Sequence, residues 1–292
     1  MSEARGQIAS LLPALSDPAR PPLVMGILNV TPDSFYEGGR VTDPAAAVEA
    51  GLAMAEHGAD VIDVGGESTR PGAVPVPVEV ELDRVLPVVR ALAGRTRAAI
   101  SIDTRHAGVA EAAVDAGAAF VNDVSGFRHD PEMPRVLGRC KPLAIAMHMR
   151  GDPGDMATRA DYRCLAADVL AELWAGVVPA LDAGLPVGHV LLDPGIGFAK
   201  TAGQSLAILR DLDVLVRTGR PVVVGASRKS FIGRVLDRPD PAGRLFGTAA
   251  AVAAAVVRGA RVLRVHDVAE MRDVVRVAHA IATGGMAAGG GT

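Results

Sequence analysis

Aromatic side chains are scarce: phenylalanine, tyrosine and tryptophan together make up 3% of 292 residues. Base-stacking platforms for single-stranded nucleic acid are thereby excluded. No basic block offsets a formal charge of −3, so the footprint of a nucleic-acid or anionic-membrane binder is missing. No stretch approaches the ~20 consecutive apolar residues that span a bilayer. The opening MSEARGQIASLLPALSDPARPP contains acid and lacks a basic start followed by a long apolar run, so it does not read as a signal peptide. Cysteine is nearly absent. Cys140 and Cys164 stand far apart without CxxC or Cys/His ligand spacing, as reduced thiols of a cytoplasmic protein do. HExxH, HxxEH and Gly-x-Ser-x-Gly patterns are also missing, which argues against a zinc hydrolase or a serine-elbow esterase.

What is present is apolar and repetitive: 49% hydrophobic residues and a mean hydropathy of +0.28. A short apolar run, a polar or Gly-rich tip, a helical pattern and a glycine recur down the chain. The runs are LVMGILNV (23–30), DVIDVGG (60–66), AISIDT (99–104), FVNDV (120–124), PLAIAMH (142–148), HVLLDPG (189–195), PVVVGAS (221–227) and RVLRVHD (261–267). Within them apolar residues stand side by side rather than alternating, as in strands covered on both faces. Helical stretches between them close on Gly58, Gly117, Gly184, Gly219 and Gly259, and one opens with Asp43 as N-cap and Pro44 at the first helical position. Eight strands alternating with helices imply a parallel sheet, either an open doubly wound sheet or a closed barrel. The count of eight, the length and the lack of a Gly-x-Gly-x-x-Gly turn after the first strand favour a single (β/α)₈ TIM barrel. The expected layout is an N-terminal extension over 1–22, the barrel over 23–283, and a disordered Gly-rich tail over 284–292. The long connection HMRGDPGDMATRADYRC (148–164) is a candidate flap.

The runs end in Asn29, Asp63, Asp103, Asn122 with Asp123, His148, Asp193, Ser227 and His266. A single such residue is more often a helix cap than a ligand. Several of these, however, precede their helices by several positions. In a barrel all the tips meet at one mouth, where active sites of this architecture sit. Carboxylates and carboxamides there suit a neutral ring with donors and acceptors on its edge. Cations arrive late, with Lys229 in GASRKSFIG and the Arg264–His266 pair in RVLRVHD, and suggest an anionic group such as a phosphate. Any metal would be a hard Mg²⁺ shared with substrate phosphates.

The ordered series GILNVTPDSF, DVGGESTRPGA, SIDT, VNDVSG, MHMRG, LLDPGIGFAKT, VVGASRKSFIG and RVHDV resembles the dihydropteroate synthase family from about residue 23 to residue 280. The resemblance implies a (β/α)₈ barrel of the folate pathway, usually dimeric. Such an enzyme joins 6-hydroxymethyl-7,8-dihydropterin pyrophosphate to p-aminobenzoate and releases pyrophosphate. Carried over position by position, it assigns Asp103, Asn122, Asp193 and Lys229 to the pterin, with Met147 and Phe198 as pocket walls. Asn29, Arg264 and His266 would serve the pyrophosphate end, with Asn29 also a ligand of Mg²⁺. Thr69, Arg70, Pro71 and Ser227 would border the p-aminobenzoate, where sulfonamides would compete. Asp33 would sit in a closing loop. Tyr36-Glu37, Gly243 and GDPGDM depart from the family pattern without removing any of these residues. Two pterin-binding alternatives are a corrinoid methyltransferase, which would lack SRKSFIG and the Arg-x-His pair, and a non-catalytic paralogue. An aldolase using Lys229 as Schiff base lacks a second proton-transfer partner.

Overall fold

The structure is a computed structural model that describes residues 2–31, 44–68, 75–152 and 154–285. Asp33, Thr69, Arg70, Pro71, the loop residues Tyr36 and Glu37, and the cap Asp43 lie outside the described residues, as does the tail from 286.

Eight strands form one parallel sheet: β1 (Leu23–Asn29), β2 (Val61–Gly65), β3 (Ala99–Asp103), β4 (Phe120–Asp123), β5 (Leu143–Met147), β6 (Val190–Asp193), β7 (Val223–Val224) and β8 (Val262–Val265). Their order is β6-β5-β4-β3-β2-β1-β8-β7, and a parallel bridge between Leu192 and Val222 joins the two ends into a barrel. Every apolar run of the sequence thus becomes a strand. Around it lie α2 (Pro44–Glu56), α3 (Val78–Ala93), α4 (Ala107–Asp115), α5 (Met133–Cys140), α6 (Leu165–Asp182), α7 (Ala202–Arg210), the short α8 (Asp213–Val216), α9 (Ser230–Leu236), α10 (Leu245–Val257) and α11 (Val268–Thr283). The five glycines named as helix ends all take the left-handed conformation, with φ of 95° at Gly58 and 115° at Gly117. The helical pattern over 206–219 is not one helix. A Thr201–Gln204 capping box starts α7 at Ala202, and the chain breaks after Arg210 so that Leu212 and Leu215 turn fully inward.

Residues facing outward from the strands, such as Val24, Leu28, Ile62, Val64, Ile100, Ile102, Val121 and Leu192, form one buried layer with the helices. Inward residues at the lower end form a second core: Met25, Val61, Ala99, Phe120, Leu143, Ile145, Leu191, Val223 and Val262. Each large side chain fully withdrawn from water there contributes about 1.5–3 kcal/mol. The first 22 residues close this end. Helix α1 (Ser2–Ser16) sets Ile8 and Leu15 against the floor, the Arg261 guanidinium donates to the Ala14 carbonyl, and a His279 ring nitrogen meets the Ala19 carbonyl at 3.1 Å. The long connection after β5 is tied to the barrel: Met156 is buried beside Met147 and Met149, the Tyr162 hydroxyl donates to the Ala199 carbonyl, and Gln204 donates to the Ala160 carbonyl.

Candidate active site

Side chains along a strand alternate faces, so residues two or four beyond an inward floor residue also point inward. Parallel register aligns the upper members across neighbouring strands: Asn29 with Gly65, Gly65 with Asp103, Asp103 with Asn122, and Met147 with Asp193. One tier of the barrel mouth therefore carries most of the residues picked out by the sequence. Two inward positions are glycine. A Cβ on Gly65 would stand 3.5 Å from Asp103 Cβ and 3.6 Å from Asn29 Oδ1, and one on Gly225 would stand 4.0 Å from Asp193 Oδ2. Their lack of side chains leaves room at the centre of the mouth.

Arg264 is held by two carboxyls. Its Nε donates to Asp63 Oδ2 and its Nη2 to Asp103 Oδ2, both at 2.6 Å, which pins the guanidinium to the pocket floor. Asn122 Nδ2 donates to the same Asp63 oxygen at 3.0 Å. Asp63, named only as a strand tip, is thus the fully buried post on which Arg264 and Asn122 are oriented. Burial lifts the Asp103 carboxyl above its ordinary value against the pull of Arg264. Asp193 is pushed up to about 6 by burial, opposed by the Gly195 N–H at 2.7 Å and by the charges of Lys229 and Arg264. It remains mostly ionised at neutral pH. Asp123 faces away and braces its own loop, accepting from the Ser125 backbone and hydroxyl and from the Phe127 N–H.

Arg228 occupies the left-handed region at φ 57°, held by Thr248 Oγ1 on its N–H and by Asp267 on its guanidinium. This costs about 1–3 kcal/mol. The turn delivers Lys229 to the mouth, where its ammonium lies 3.9 Å from the Phe198 ring centroid and burial pushes it down to about 8. Lys229 is therefore not a solvated helix start. Met147 is buried and Phe198 half-buried beside it, so both wall the mouth and also belong to a small core. His266 and Ser227 form a pair: the Ser227 hydroxyl lies 3.0 Å from His266 Nδ1 and accepts the His266 N–H at 3.2 Å. Asn29 is half-buried at the rim.

Sequence reasoning missed Lys200, although it lies in a quoted segment. Its ammonium is buried 2.8 Å from His148 Nδ1 and donates to the Gly195 and Phe198 carbonyls at 3.2 Å. Burial pushes it down to about 7, while burial and the Lys200 charge lower His148. His148 Nε2 then meets Glu172 Oε2 at 3.1 Å. This relay fixes the turn carrying Asp193 and Phe198 from behind. A cleft of about 590 Å³ nearby, lined by Arg128, His129, Arg150 and Arg159 among others, contains none of the predicted residues. Its arginines are spent on protein groups: Arg128 on the Ser125 and Met149 carbonyls, Arg150 on Glu172, and Arg159 on Asp155.

A parallel barrel whose mouth offers carboxylates, a carboxamide and cations in one tier defines an enzyme class that holds a flat polar heterocycle. A family model described as pterin binding enzyme matches residues 25–266. The chain belongs to this family and, within it, to the dihydropteroate synthases. It is 46% identical to the dihydropteroate synthase of Synechocystis, across 88% of this chain and 89% of that one. It is equally 46% identical to that of Mycobacterium leprae, covering 88% and 92%. Among solved structures, Yersinia pestis dihydropteroate synthase with a sulfonamide drug complex superposes with a TM-score of 0.86 at 38% identity, covering 90% and 95%. The Xanthomonas albilineans enzyme with 4-aminobenzoic acid gives 0.84 at 43%, covering 90% and 94%.

Proposed function

We propose that this chain is a working dihydropteroate synthase, joining 6-hydroxymethyl-7,8-dihydropterin pyrophosphate to p-aminobenzoate in folate biosynthesis. The observation that carries the reading is the shared inward tier of Asp103, Asn122 and Asp193, closed by Lys229 and Arg264. An ionised Asp193 accepts the adjacent ring amide and amino hydrogens as charge-assisted bonds. Asn122, oriented by Asp63, and Lys229 complete the ring's edge, between the walls of Met147 and Phe198. Arg264, oriented by the Asp63 and Asp103 carboxyls, would meet the pyrophosphate end together with Asn29 and His266.

The arylamine is neutral near pH 7 and needs no strong base before attack. Breaking the bond between the exocyclic carbon and the pyrophosphate oxygen is the harder event. The carboxyls of Asp63, Asp103 and Asp193 surround the ring, and the ionised Asp193 favours positive charge growing on the pterin. That supports a loose, carbocation-like transition state. His266, fixed by Ser227, and Asn29 stand at the rim where the leaving group collects its charge. The amine nitrogen then bonds to carbon and gives up its proton. The Asn29 carboxamide, a hard oxygen at the half-buried rim, fits a Mg²⁺ whose other ligands are substrate oxygens and water. When bound, that ion would neutralise charge on the pyrophosphate. The family resemblance assigns Thr69, Arg70, Pro71 and Ser227 to the p-aminobenzoate, where sulfonamides would compete, and Asp33 to a closing loop.

The exposed apolar residues Val257, Val277 and Ile281 on α10 and α11 support a homodimer. Among the described residues no helix is long and apolar enough to cross a membrane. Free Cys140 and Cys164 suit a cytoplasmic enzyme.

The test is incubation of the purified chain with both substrates, with and without Mg²⁺, scored for dihydropteroate. Mg²⁺-dependent product is expected; tight pterin binding without product would make the chain a non-catalytic paralogue. His266→Ala should slow turnover while sparing ring binding, and a loss of ring affinity in that variant would contradict the division of roles.

A further inference from the structure

A second polar cluster brackets the segment between β2 and α3. Glu67 follows β2, Glu81 lies in the first turn of α3, and His106 is the residue before α4. Glu81 is 0% exposed, and among the described residues neither of its carboxyl oxygens has a partner at hydrogen-bond distance. His106 Nε2 is likewise buried and unpartnered. That nitrogen stands 4.0 Å from Glu67 Oε2 and 3.9 Å from Glu81 Oε2. One ligand atom from each residue falls within 4.8 Å of the other two. These separations exceed a hydrogen bond, so the three groups surround a gap rather than bond across it.

Charge makes the gap expensive. Arg105 answers Glu67 alone, donating from Nη2 and Nε to its two oxygens at 3.0 and 3.1 Å, with Nη1 on Asp152 at 2.8 Å. The Val76 N–H also reaches Glu67 Oε1 at 3.3 Å. Glu67 Oε2, which accepts only from Arg105 Nε, keeps lone-pair capacity after these bonds. Glu81 has no such ion pair: the Thr104 side chain and the Arg105 charge acting through space only partly offset its burial, and a buried carboxyl so weakly partnered costs several kcal/mol as an anion. His129 meets the His106 ring edge-on at 5.3 Å and restrains its orientation.

We propose that Glu67, Glu81 and His106 form a site for a first-row divalent cation of the Zn²⁺ or Mn²⁺ class. Two carboxylate oxygens and one imidazole nitrogen suit such borderline ions better than Mg²⁺ or Ca²⁺, which take oxygen alone. Each ligand needs to close inward by less than an ångström to reach bonds of about 2.0–2.2 Å. Water completes the coordination, and the half-exposed side of His106 is the way in. The site is separate from Asn29, lies on groups outside the pterin tier, and stands whether or not the proposed reaction is correct.

The experiment is a Zn²⁺ titration of metal-free full-length protein, without substrates, against a chromogenic chelator. One equivalent should bind, and Glu81→Gln or His106→Lys should weaken it at least about tenfold. The lysine variant returns a cation to the carboxylates and so preserves the local charge balance while removing the ligand. Absence of stoichiometric binding would overturn the proposal. Equal binding by wild type and both variants would also overturn it. Should both variants fail to fold, X-ray absorption of the Zn²⁺-loaded wild type decides. A single imidazole among oxygen ligands supports the site, and several imidazoles or a thiolate refute it.

Discussion

At the lower end of the barrel interior stand Met25, Val61, Ala99, Phe120, Ile145 and Leu191. Two or four residues later on the same strands stand Asn29, Asp63, Asp103, Asn122, Met147 and Asp193. Floor and rim share backbone and register, yet the floor is almost wholly apolar and the rim carries carboxyls, two carboxamides and a thioether. The floor gains from leaving water. Most rim groups lose by it and are stable only because they are paired, as Asp63 and Asp103 are through Arg264. Stability and chemistry are therefore divided along each strand rather than between strands.

That division can be broken by single substitutions. The largest effect is expected at the rim: Asp193→Ala should weaken pterin binding by about 10²–10⁴-fold, since two charge-assisted bonds are lost. Calorimetry would show the loss and thermal melting should show an intact fold; an unfolded variant would mean that rim and floor are not separable. At the floor, Phe120→Ala should cost about 3–5 kcal/mol in urea unfolding while the KM of the remaining folded enzyme stays put. Between them lies Asp63→Asn, which keeps the shape but weakens the hold on Arg264. About a tenfold drop in kcat/KM is expected, and an unchanged value would show that Arg264 needs no anchor.

A pH comparison sharpens the contrast. The Asp193 carboxyl, ordinarily at 3.8, rises to about 6 in the folded chain. Between those values the folded state binds more protons, so this group's contribution to stability is greatest in acid and fades as pH rises through 6. Pterin affinity should run the opposite way, falling up to about tenfold per pH unit below 6. Measuring both against pH for wild type and Asp193→Asn tests the sign; parallel trends would reject it. The smallest effect is reserved for a wall: Phe198→Leu removes the ring beneath Lys229 and should weaken binding about threefold.

The strands were legible because runs such as AISIDT and HVLLDPG combine β-branched residues with a polar stop and a glycine-closed helix before or after. The rim residues were legible for the same reason, as polar interruptions at the ends of apolar runs. Relations across the barrel were hidden. Nothing near Asp63 in sequence announces Arg264, 201 positions away, so the pinned guanidinium could not be read. Lys200 was obscured because a lysine after a glycine-rich turn looks solvated, and only the fold places its ammonium on His148. Helix α1 did leave a trace, in Ile8, Leu11, Leu12 and Leu15 at helical spacing, though its Pro13 and polar flanks mask it. The register of Glu67, Glu81 and His106 around one gap likewise depends on how β2, α3 and β3 are stacked.

The even spacing between floor and rim has an evolutionary corollary. One residue inserted between Ala99 and Asp103 would turn Ile100 and Ile102 toward the ligand and drive Asp103 among the helices. Only an insertion of an even number of residues keeps each strand's side chains on their own faces, as though the catalytic tier were written in a two-letter reading frame.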